Sequence, residues 1–301
     1  MIQKFIAVLG EKNVKEKEPM SLHTTFRTGG CADLFLIVDT ISALKNVLKI
    51  CADEGIKHYL VGNGSNLLIS DDGYKGAIIK LGKDFFDITA DSLNNRESVI
   101  KAGAGVLLSK VARFALDNSL AGFEFAAGIP GTVGGAIVMN AGAYGGEMKD
   151  VVKSVTVMDA SGDIKTLSRD EMQFEYRNSI VKKEGLYVLE TEFLLSCGNK
   201  NEIEDKMNEL CAKRKEKQPL EYPSAGSTFK RPEGYFAGKL IEDAGLRGYR
   251  CGGACVSDKH CGFVVNDNNA TTADILAVIN YVQETVYDKF GVKLEPEVKI
   301  L

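Results

Sequence analysis

The segment Leu60-Val-Gly-Asn-Gly-Ser-Asn-Leu67 contains residue types that can hold an anion. Gly62 and Gly64 directly follow a predicted strand, and glycine lets backbone N–H groups approach a bound group closely. Ser65 and Asn66 add side-chain donors. The pattern is neither a Rossmann fingerprint nor a P-loop, because the third glycine and a Gly-Lys-Ser/Thr triplet are missing. An ordinary turn is the alternative interpretation.

A second segment, Ala127-Gly-Ile-Pro-Gly-Thr-Val-Gly-Gly-Ala136, is unusually rich in glycine, and three more glycines lie within 137–146. Glycine at this density costs conformational entropy, so it indicates close approach of the backbone to something. That partner is either a bound group or a sheet against which a helix of small residues packs.

A charged helix predicted over 202–217 ends in two cations. Its apolar face is formed by Ile203, Met207, Leu210 and Cys211. Arg214 continues that face and Lys217 follows three residues later. The two cations either interact with the helix dipole or face a phosphorylated ligand.

Cys251, Cys255, His260 and Cys261 are close in sequence but do not have the spacing of a zinc site. Paired Cys-x-x-Cys units are missing, and adjacent His and Cys residues do not easily share one tetrahedral site. We therefore predict no metal.

The two glycine-rich segments together resemble the FAD-binding domain of the vanillyl-alcohol-oxidase type. From Thr25-Phe-Arg-Thr-Gly-Gly30 to Leu294-Glu-Pro-Glu-Val298 the chain is similar to the UDP-N-acetylenolpyruvoylglucosamine reductase family. The resemblance implies an α+β fold, with an FAD-binding unit of two α+β subdomains and a smaller C-terminal α+β domain that binds substrate. A large tyrosine-bearing insertion is missing, which suggests the shorter second type of the family.

The resemblance also implies non-covalent FAD, with NADPH as reductant. The first glycine-rich segment would hold the FAD pyrophosphate, and the second would lie along the flavin. The residues implied to bind the cofactor are Gly62, Asn63, Gly64, Ser65, Asn66, Gly128, Ile129, Pro130, Gly131, Thr132, Gly134, Gly135, Ala136 and Asn140.

The implied reaction is reduction of the enolpyruvyl ether of a UDP-sugar during cell-wall precursor synthesis. By motif, Arg177 of Tyr-Arg-Asn-Ser would hold the substrate carboxylate, because a guanidinium binds a carboxylate through two hydrogen bonds. Ser227 would protonate the intermediate and Glu297 would assist. The family motif favours Glu297 over Glu295, which strand periodicity alone cannot do.

Four further residues are implied to bind the UDP-sugar: Tyr176, Arg214, Lys217 and Lys230. Many family members have Asn where this chain has Arg231, so the substrate contact at that position is open. Two other functions are open at this stage. One is an FAD oxidoreductase that oxidises a sugar or hydroxy acid with oxygen, and the other is a catalytically silent UDP-sugar-binding protein.

The elements that must position these residues follow from periodicity and from turn residues. Helices are predicted over 41–51, 106–116, 202–217 and 272–290, and strands over 58–61, 66–70, 77–81, 153–158, 192–196 and 298–301. A small polar run near residues 196–199 predicts an FAD-binding domain over 1–199 and a substrate-binding domain over 200–301.

Composition narrows the class of protein. The net charge of −4 gives no reason to bind nucleic acid or an anionic membrane. The apolar start of the chain is interrupted by Lys4, and no run of 18 apolar residues occurs. Seven scattered cysteines fit free thiols in a reducing compartment. We predict a cytoplasmic monomer whose partners are small molecules.

Overall fold

The computed structural model describes all residues from 1 to 301 and contains both helices and strands. No helix combines the length and the apolar character needed to cross a membrane. The α-helices are α1 (Ile2–Leu9), α2 (Ile41–Asp53), α3 (Leu108–Asp117), α4 (Val133–Val138), α5 (Met148–Val151), α6 (Ile180–Glu184), α7 (Lys200–Lys217), α8 (Ala237–Asp243) and α9 (Thr272–Phe290). Single 3-10 turns cover Glu11–Asn13, Met20–Leu22, Lys83–Phe85 and Glu124–Ala126.

The strands form several small sheets and one larger sheet. They are β1 (Val14–Pro19), β2 (Cys31–Val38), β3 (His58–Val61), β4 (Leu67–Leu68), β5 (Tyr74–Leu81), β6 (Ile88–Ser92), β7 (Glu97–Gly103), β8 (Leu120–Ala121), β9 (Gly142–Ala143), β10 (Gly146–Glu147), β11 (Val152–Met158), β12 (Ile164–Ser168), β13 (Tyr187–Cys197), β14 (Arg250–Cys251), β15 (Ala254–Val256), β16 (Val264–Asn266) and β17 (Lys299–Ile300).

The largest sheet is antiparallel, with the order β12-β11-β13-β7-β6 and with β8 added beside β13. A four-stranded sheet has the order β1-β2-β5-β3, in which β3 and β5 are parallel. The smaller sheets are β14-β15-β16, the β9-β10 hairpin, and the parallel pair β4 and β17.

Most predicted elements are confirmed. The helix at 272–290 and the strand at 58–61 have the predicted bounds, and the other predicted helices differ by a few residues at their ends. The strand predicted over 66–70 is wrong in length, because β4 has only two residues, both paired with β17. β13 begins at Tyr187, five residues before the prediction, because it pairs with β11 on one edge and β7 on the other.

The chain divides into two compact, interleaved units. The first unit comprises Met1–Lys15, Leu34–Asn63 and Gly76–Arg214, and the second comprises Glu16–Asp33, Gly64–Lys75 and Lys215–Leu301. Compactness does not reveal which ligand each part binds. The assignment of 1–199 to FAD and of 200–301 to substrate therefore stays a prediction.

Part of the core of the first unit packs against the large sheet, and part packs against α2 and the four-stranded sheet. Along β11, Val155 and Val157 are fully buried while Thr156 between them is not, which is the alternation expected of a half-buried strand. The helix α4 packs against β13. Phe123 meets Phe193 of β13 edge to face, with ring centroids 5.0 Å apart.

The core of the second unit is built around α9. Ile275, Ile279, Val282 and Val286 recur at helical spacing and are fully buried. At the start of the helix, the Thr271 hydroxyl accepts from the N–H of Asp274 at 3.1 Å. The Asp274 carboxylate accepts from the N–H of Thr271 at 3.0 Å, which completes a capping box.

Replacing Thr271 with Ala removes the hydroxyl that caps α9, so we expect the free energy of unfolding to fall by about 1 kcal/mol. The T271S variant keeps the hydroxyl and serves as the control. Chemical denaturation followed by far-UV circular dichroism measures the difference. Equal stability of T271A and T271S would show that this cap does not stabilise the second unit.

Candidate active site

The start of the first glycine-rich segment lies in the first unit and contacts the second glycine-rich segment. Gly62 follows β3, and a Cβ atom at Gly62 would collide with the hydroxyl of Thr132. The Asn63 side chain donates from Nδ2 to the carbonyl oxygen of Pro130 at 2.7 Å. Residues 62–63 and 130–132, which the resemblance assigns to one cofactor, are therefore neighbours.

Residues 64–66 of the same segment lie in the second unit. Gly64 has a φ of 64°, and a Cβ atom there would collide with the carbonyl oxygen of His23. The backbone N–H groups of residues 64–66 have no intramolecular acceptor. Asn66 donates from Nδ2 to the carbonyl oxygen of Glu297 at 3.1 Å. Consecutive backbone donors of this kind suit the pyrophosphate of FAD, so these residues fit the cofactor.

Part of the second segment is explained by packing instead. Thr132 caps α4, and the first N–H groups of that helix are already bonded: Val133 donates to Val106 at 2.8 Å and Gly134 to Ala104 at 2.9 Å. A Cβ atom at Gly134 would lie 3.1 Å from the Cβ atom of Ala104. The N-terminus of α4 therefore offers no donors to a phosphate, and Gly134 serves close packing.

Arg214 on α7 carries a charge that no side chain neutralises. It is half-buried, and a Cβ atom at Gly128 would lie 2.9 Å from its Cδ atom. It has no hydrogen-bond or ion-pair partner within the protein, and burial lowers the pKa of its guanidinium. Arginine nevertheless stays protonated in proteins. A half-buried cation of this kind favours an anionic ligand beside residue 128.

The remainder of the predicted apolar face of α7 is confirmed in part. Ile203 and Leu210 are buried and Met207 is half-buried, in line with Arg214. Cys211 is exposed, so its assignment to that face is wrong; at 100° per residue it lies at the margin of the stripe. Lys217, in the second unit, is the exposed last residue of the helix.

Arg177 lies at the tip of a two-residue turn in the first unit. Glu175 and Asn178 pair through both backbone bonds, of 3.0 and 3.2 Å, and leave Tyr176 and Arg177 between them. Arg177 has a φ of 56°, which is uncommon for a residue other than glycine. Its guanidinium lies over the Tyr176 ring, 5.0 Å from the centroid. Backbone strain of this kind occurs preferentially at functional positions.

Two side-chain hydrogen bonds anchor this turn to residues 138–140, which follow the second glycine-rich segment. Asn140 donates from Nδ2 to the carbonyl oxygen of Glu175 at 3.2 Å. Ser179, which is fully buried, donates to the carbonyl oxygen of Val138 at 3.1 Å. Asn140, which the resemblance assigns to the cofactor, thus also holds the turn that carries Arg177.

The Ser227 segment (residues 227–230) and the Glu297 segment (residues 295–297) lie side by side within the second unit. The N–H of Glu297 donates to the carbonyl oxygen of Thr228 at 2.8 Å, and Phe229 is bridged antiparallel to Pro296. Thr228 is 1% exposed. Its N–H donates to the carbonyl oxygen of Gly262 at 2.8 Å, and its hydroxyl accepts from the N–H of Val264 at 2.9 Å. The residue after Ser227 is therefore fixed from three sides.

The structure distinguishes the two glutamates that periodicity could not. Glu295 is exposed and accepts from Lys230 Nζ at 2.9 Å, and this hydrogen bond lowers the pKa of the Glu295 carboxyl. Glu297 is half-buried beside the Ser227 segment. Lys230, implied to bind substrate, thus already has an ion-pair partner. The Arg231 guanidinium lies over the exposed ring of Phe236 at 4.0 Å.

The cysteines that flank His260 are poor metal ligands. Burial raises the pKa of Cys255 to about 11 and also raises that of Cys261, so both stay protonated thiols. No three side chains of the His, Cys, Asp and Glu types lie close enough to hold a metal ion.

The sequence did not reveal the groups that anchor the positions predicted to be catalytic: Thr228, Ser179, and the carbonyl groups of Val138 and Glu175. A buried threonine directly after a candidate serine is a weak signal at most. The contacts that define these roles join residues about 35 to 70 positions apart, and no local pattern reports them.

Two family models match the chain. One is described as an FAD binding domain and matches residues 32–168, and the other is the C-terminal domain of UDP-N-acetylenolpyruvoylglucosamine reductase and matches residues 218–301. The predicted fold class is confirmed: the chain is α+β, with an FAD-binding part related to the vanillyl-alcohol-oxidase type.

Curated relatives align over nearly the whole chain. The UDP-N-acetylenolpyruvoylglucosamine reductase of Agathobacter rectalis is 54% identical and covers 97% of this chain and 95% of its own. That of Clostridioides difficile is 51% identical, with coverage of 98% and 95%. The crystal structure of the reductase from Thermus caldophilus has a TM-score of 0.81 and 34% identity, over 95% of this chain and 98% of that chain.

Gly64→Ala tests the close approach in the first glycine-rich segment. Gly185 has the same φ of 64°, and no atom lies within 4 Å of the place a Cβ atom would take, so G185A measures the conformational penalty alone, about 1–2 kcal/mol. We expect G64A to lower the melting temperature further and to purify with less FAD. Equal effects of the two substitutions on stability and FAD content would contradict a tight contact at Gly64.

Proposed function

The chain belongs to the UDP-N-acetylenolpyruvoylglucosamine reductase family, and on this basis we propose that it reduces UDP-N-acetylglucosamine enolpyruvate to UDP-N-acetylmuramate with NADPH, in peptidoglycan precursor synthesis. It is an FAD-dependent oxidoreductase. The observation that carries the proposal is the alignment with relatives up to 54% identical across 97% of the chain. The pairing of the Ser227 segment with the Glu297 segment supports it.

The reaction adds a hydride and a proton, which is two electrons and two protons, across the enolpyruvyl double bond. NADPH is oxidised to NADP⁺, and one proton comes from solvent. FAD, when bound, would supply the hydride to the terminal alkene carbon. The carbon next to the carboxylate then carries negative charge and accepts the proton. The protein side chains must bind the substrate, stabilise that charge and deliver the proton.

We assign the FAD pyrophosphate to the backbone N–H groups of residues 64–66, which have no intramolecular acceptor. We assign the flavin to residues 128–132, because residues 62–63 contact this stretch. The contacts implied for Gly134, Gly135 and Ala136 are then limited to the exposed surface at Gly135, since Gly134 and Ala136 are buried.

Arg177 binds the substrate carboxylate. Two parallel hydrogen bonds from a guanidinium orient a carboxylate, and they strengthen as it gains enolate character, so the arginine stabilises the transition state more than the ground state. The unusual backbone conformation of Arg177, at the tip of an anchored turn, supports this role.

Ser227 donates the proton from Oγ to the carbon next to the carboxylate and is reprotonated from solvent. A hydroxyl is a weak acid, so it must be held in place against a strongly basic carbanion. The three hydrogen bonds of Thr228 supply that restraint. Glu297, on the adjacent segment, assists proton delivery. Arg214, Lys217, Lys230 and Tyr176 bind the UDP-sugar, Arg214 as the cation without a protein partner.

Replacing Ser227 with Ala removes the proton donor, so we expect reoxidation of the reduced flavin by the enolpyruvyl UDP-sugar to slow about 100-fold or more. Bleaching of the flavin by NADPH should not change. Anaerobic stopped-flow absorbance measures both half-reactions, with S224A as the control serine from the same segment. Equal loss of both half-reactions would contradict the assignment, and rapid reoxidation of the wild type by air alone would favour an oxidase instead.

The two glutamates give a matched pair. E297Q removes the carboxylate beside the Ser227 segment, and we expect it to slow reoxidation by at least about tenfold. E295Q breaks an exposed ion pair and should leave that rate unchanged, because exposed pairs contribute little. Single-turnover absorbance decides between them. A larger defect in E295Q than in E297Q would reverse the assignment.

A further inference from the structure

We propose that Asn140 is a positioning residue for Arg177: its side-chain amide holds the 175–178 turn in the conformation that presents the guanidinium to the substrate carboxylate. This role differs from the cofactor contact that the resemblance implies for Asn140. The inference rests on the proposed function, because it assigns the carboxylate to Arg177.

The amide of Asn140 has three protein partners, and the residue is only 1% exposed. Nδ2 donates to the carbonyl oxygen of Glu175 at 3.2 Å and to the Glu147 carboxylate at 2.9 Å, and Oδ1 accepts from the N–H of Lys149 at 3.0 Å. A flipped amide would face two acceptors with its oxygen and a donor with its nitrogen, so the orientation is unambiguous. Both amide hydrogens are therefore unavailable to a cofactor.

The restraint acts on Arg177 through the peptide next to the turn. The carbonyl oxygen of Glu175 accepts from Asn140 and from the N–H of Asn178, which uses both of its lone pairs. At the other end, Ser179 is tied to the carbonyl oxygen of Val138. A left-handed arginine persists only where its surroundings determine the conformation, and these bonds hold both ends of the turn.

Asn140 is itself held from the side opposite the turn. The carboxylate that accepts from it, Glu147, forms an ion pair with Lys149 and belongs to the capping box that starts α5. A hydrogen bond to a carboxylate is stronger than one between neutral groups, so the bond to Glu147 orients the amide that donates to Glu175. Asn140 also has a φ of 41°, and its hydrogen bond reaches the Glu175 carbonyl, two residues before the left-handed Arg177.

The test uses the FAD-loaded N140A variant. We expect reoxidation by the enolpyruvyl UDP-sugar to slow about 10- to 100-fold, since misplacement of an orienting group by about 1 Å has that effect. Flavin bleaching by NADPH, the flavin spectrum and the FAD content should match the wild type. Asn118→Ala removes an asparagine that donates to the Phe114 carbonyl at 2.8 Å in α3, and it controls for loss of such a bond elsewhere.

A double-mutant cycle with R177A separates positioning from a general structural effect. If Asn140 acts through Arg177, N140A should slow reoxidation in the R177A background by far less than in the wild type. Its effect on the melting temperature should be the same in both backgrounds. An equal fold-change of reoxidation in the two backgrounds would overturn the proposal. Loss of FAD in N140A would also overturn it and would indicate instead that Asn140 binds the cofactor.

Binding to the oxidised protein gives a readout that does not depend on turnover. By calorimetry, N140A should weaken binding of UDP-N-acetylmuramate, which carries the carboxylate, and leave binding of UDP-N-acetylglucosamine, which does not, unchanged. Equal weakening of both ligands would contradict the inference. If N140A does not fold, the pair S179A and S179T replaces it, because only S179T keeps the hydroxyl that anchors the other end of the turn.

The result that would refute the proposed function differs from the result that would refute the role of Asn140. A wild-type protein whose reduced flavin is not reoxidised by the enolpyruvyl UDP-sugar would refute the function. A wild type that is active, combined with additive effects of N140A and R177A, would refute only the role of Asn140.

Discussion

Backbone approach closer than a side chain permits is the constraint on which the rest of this structure depends. In the first unit Gly62 lies against Thr132, and in the second Gly64 lies against the His23 carbonyl, with no room for a Cβ atom at either position. The chain around Gly64 consequently leaves three successive N–H groups without internal acceptors. Donors in this state require a ligand or solvent, because an unsatisfied backbone donor is costly to bury.

The side chains to which the proposed function assigns the chemistry lie on turns and extended segments rather than on regular helices or strands. Helices and strands position their residues through regular backbone hydrogen bonds, whereas a turn depends on hydrogen bonds from residues distant in the sequence. Thr228 provides these bonds for Ser227 and Glu297, and Asn140 with Ser179 provides them for Arg177. The backbone at such positions is therefore held by buried polar side chains.

Periodicity predicted those elements whose burial follows their own pattern. α9 and β3 are examples, because their apolar residues recur at the helical or strand spacing that the core requires. For α4, a helix of small residues packed against a sheet was only one of two alternatives, because glycine has low helix propensity; in the structure the helix forms and packs against β13. The site residues came from the family resemblance. The left-handed arginine and the difference between Glu295 and Glu297 depend on long-range contacts, so no local rule could supply them.

The interleaved order of the two units has a consequence for biosynthesis. All three stretches of the first unit have been translated once residue 214 has been added, but the second unit also needs residues 215–301. β4, made early, must wait for its partner β17, more than two hundred residues later. Until then the 16–33 and 64–75 stretches can contact each other but lack their partners in 215–301, and a fragment starting at residue 200 would lack both stretches altogether. Folding of this unit therefore requires residues 215–301 to have been made, because β4 and β17 close a loop over most of these residues.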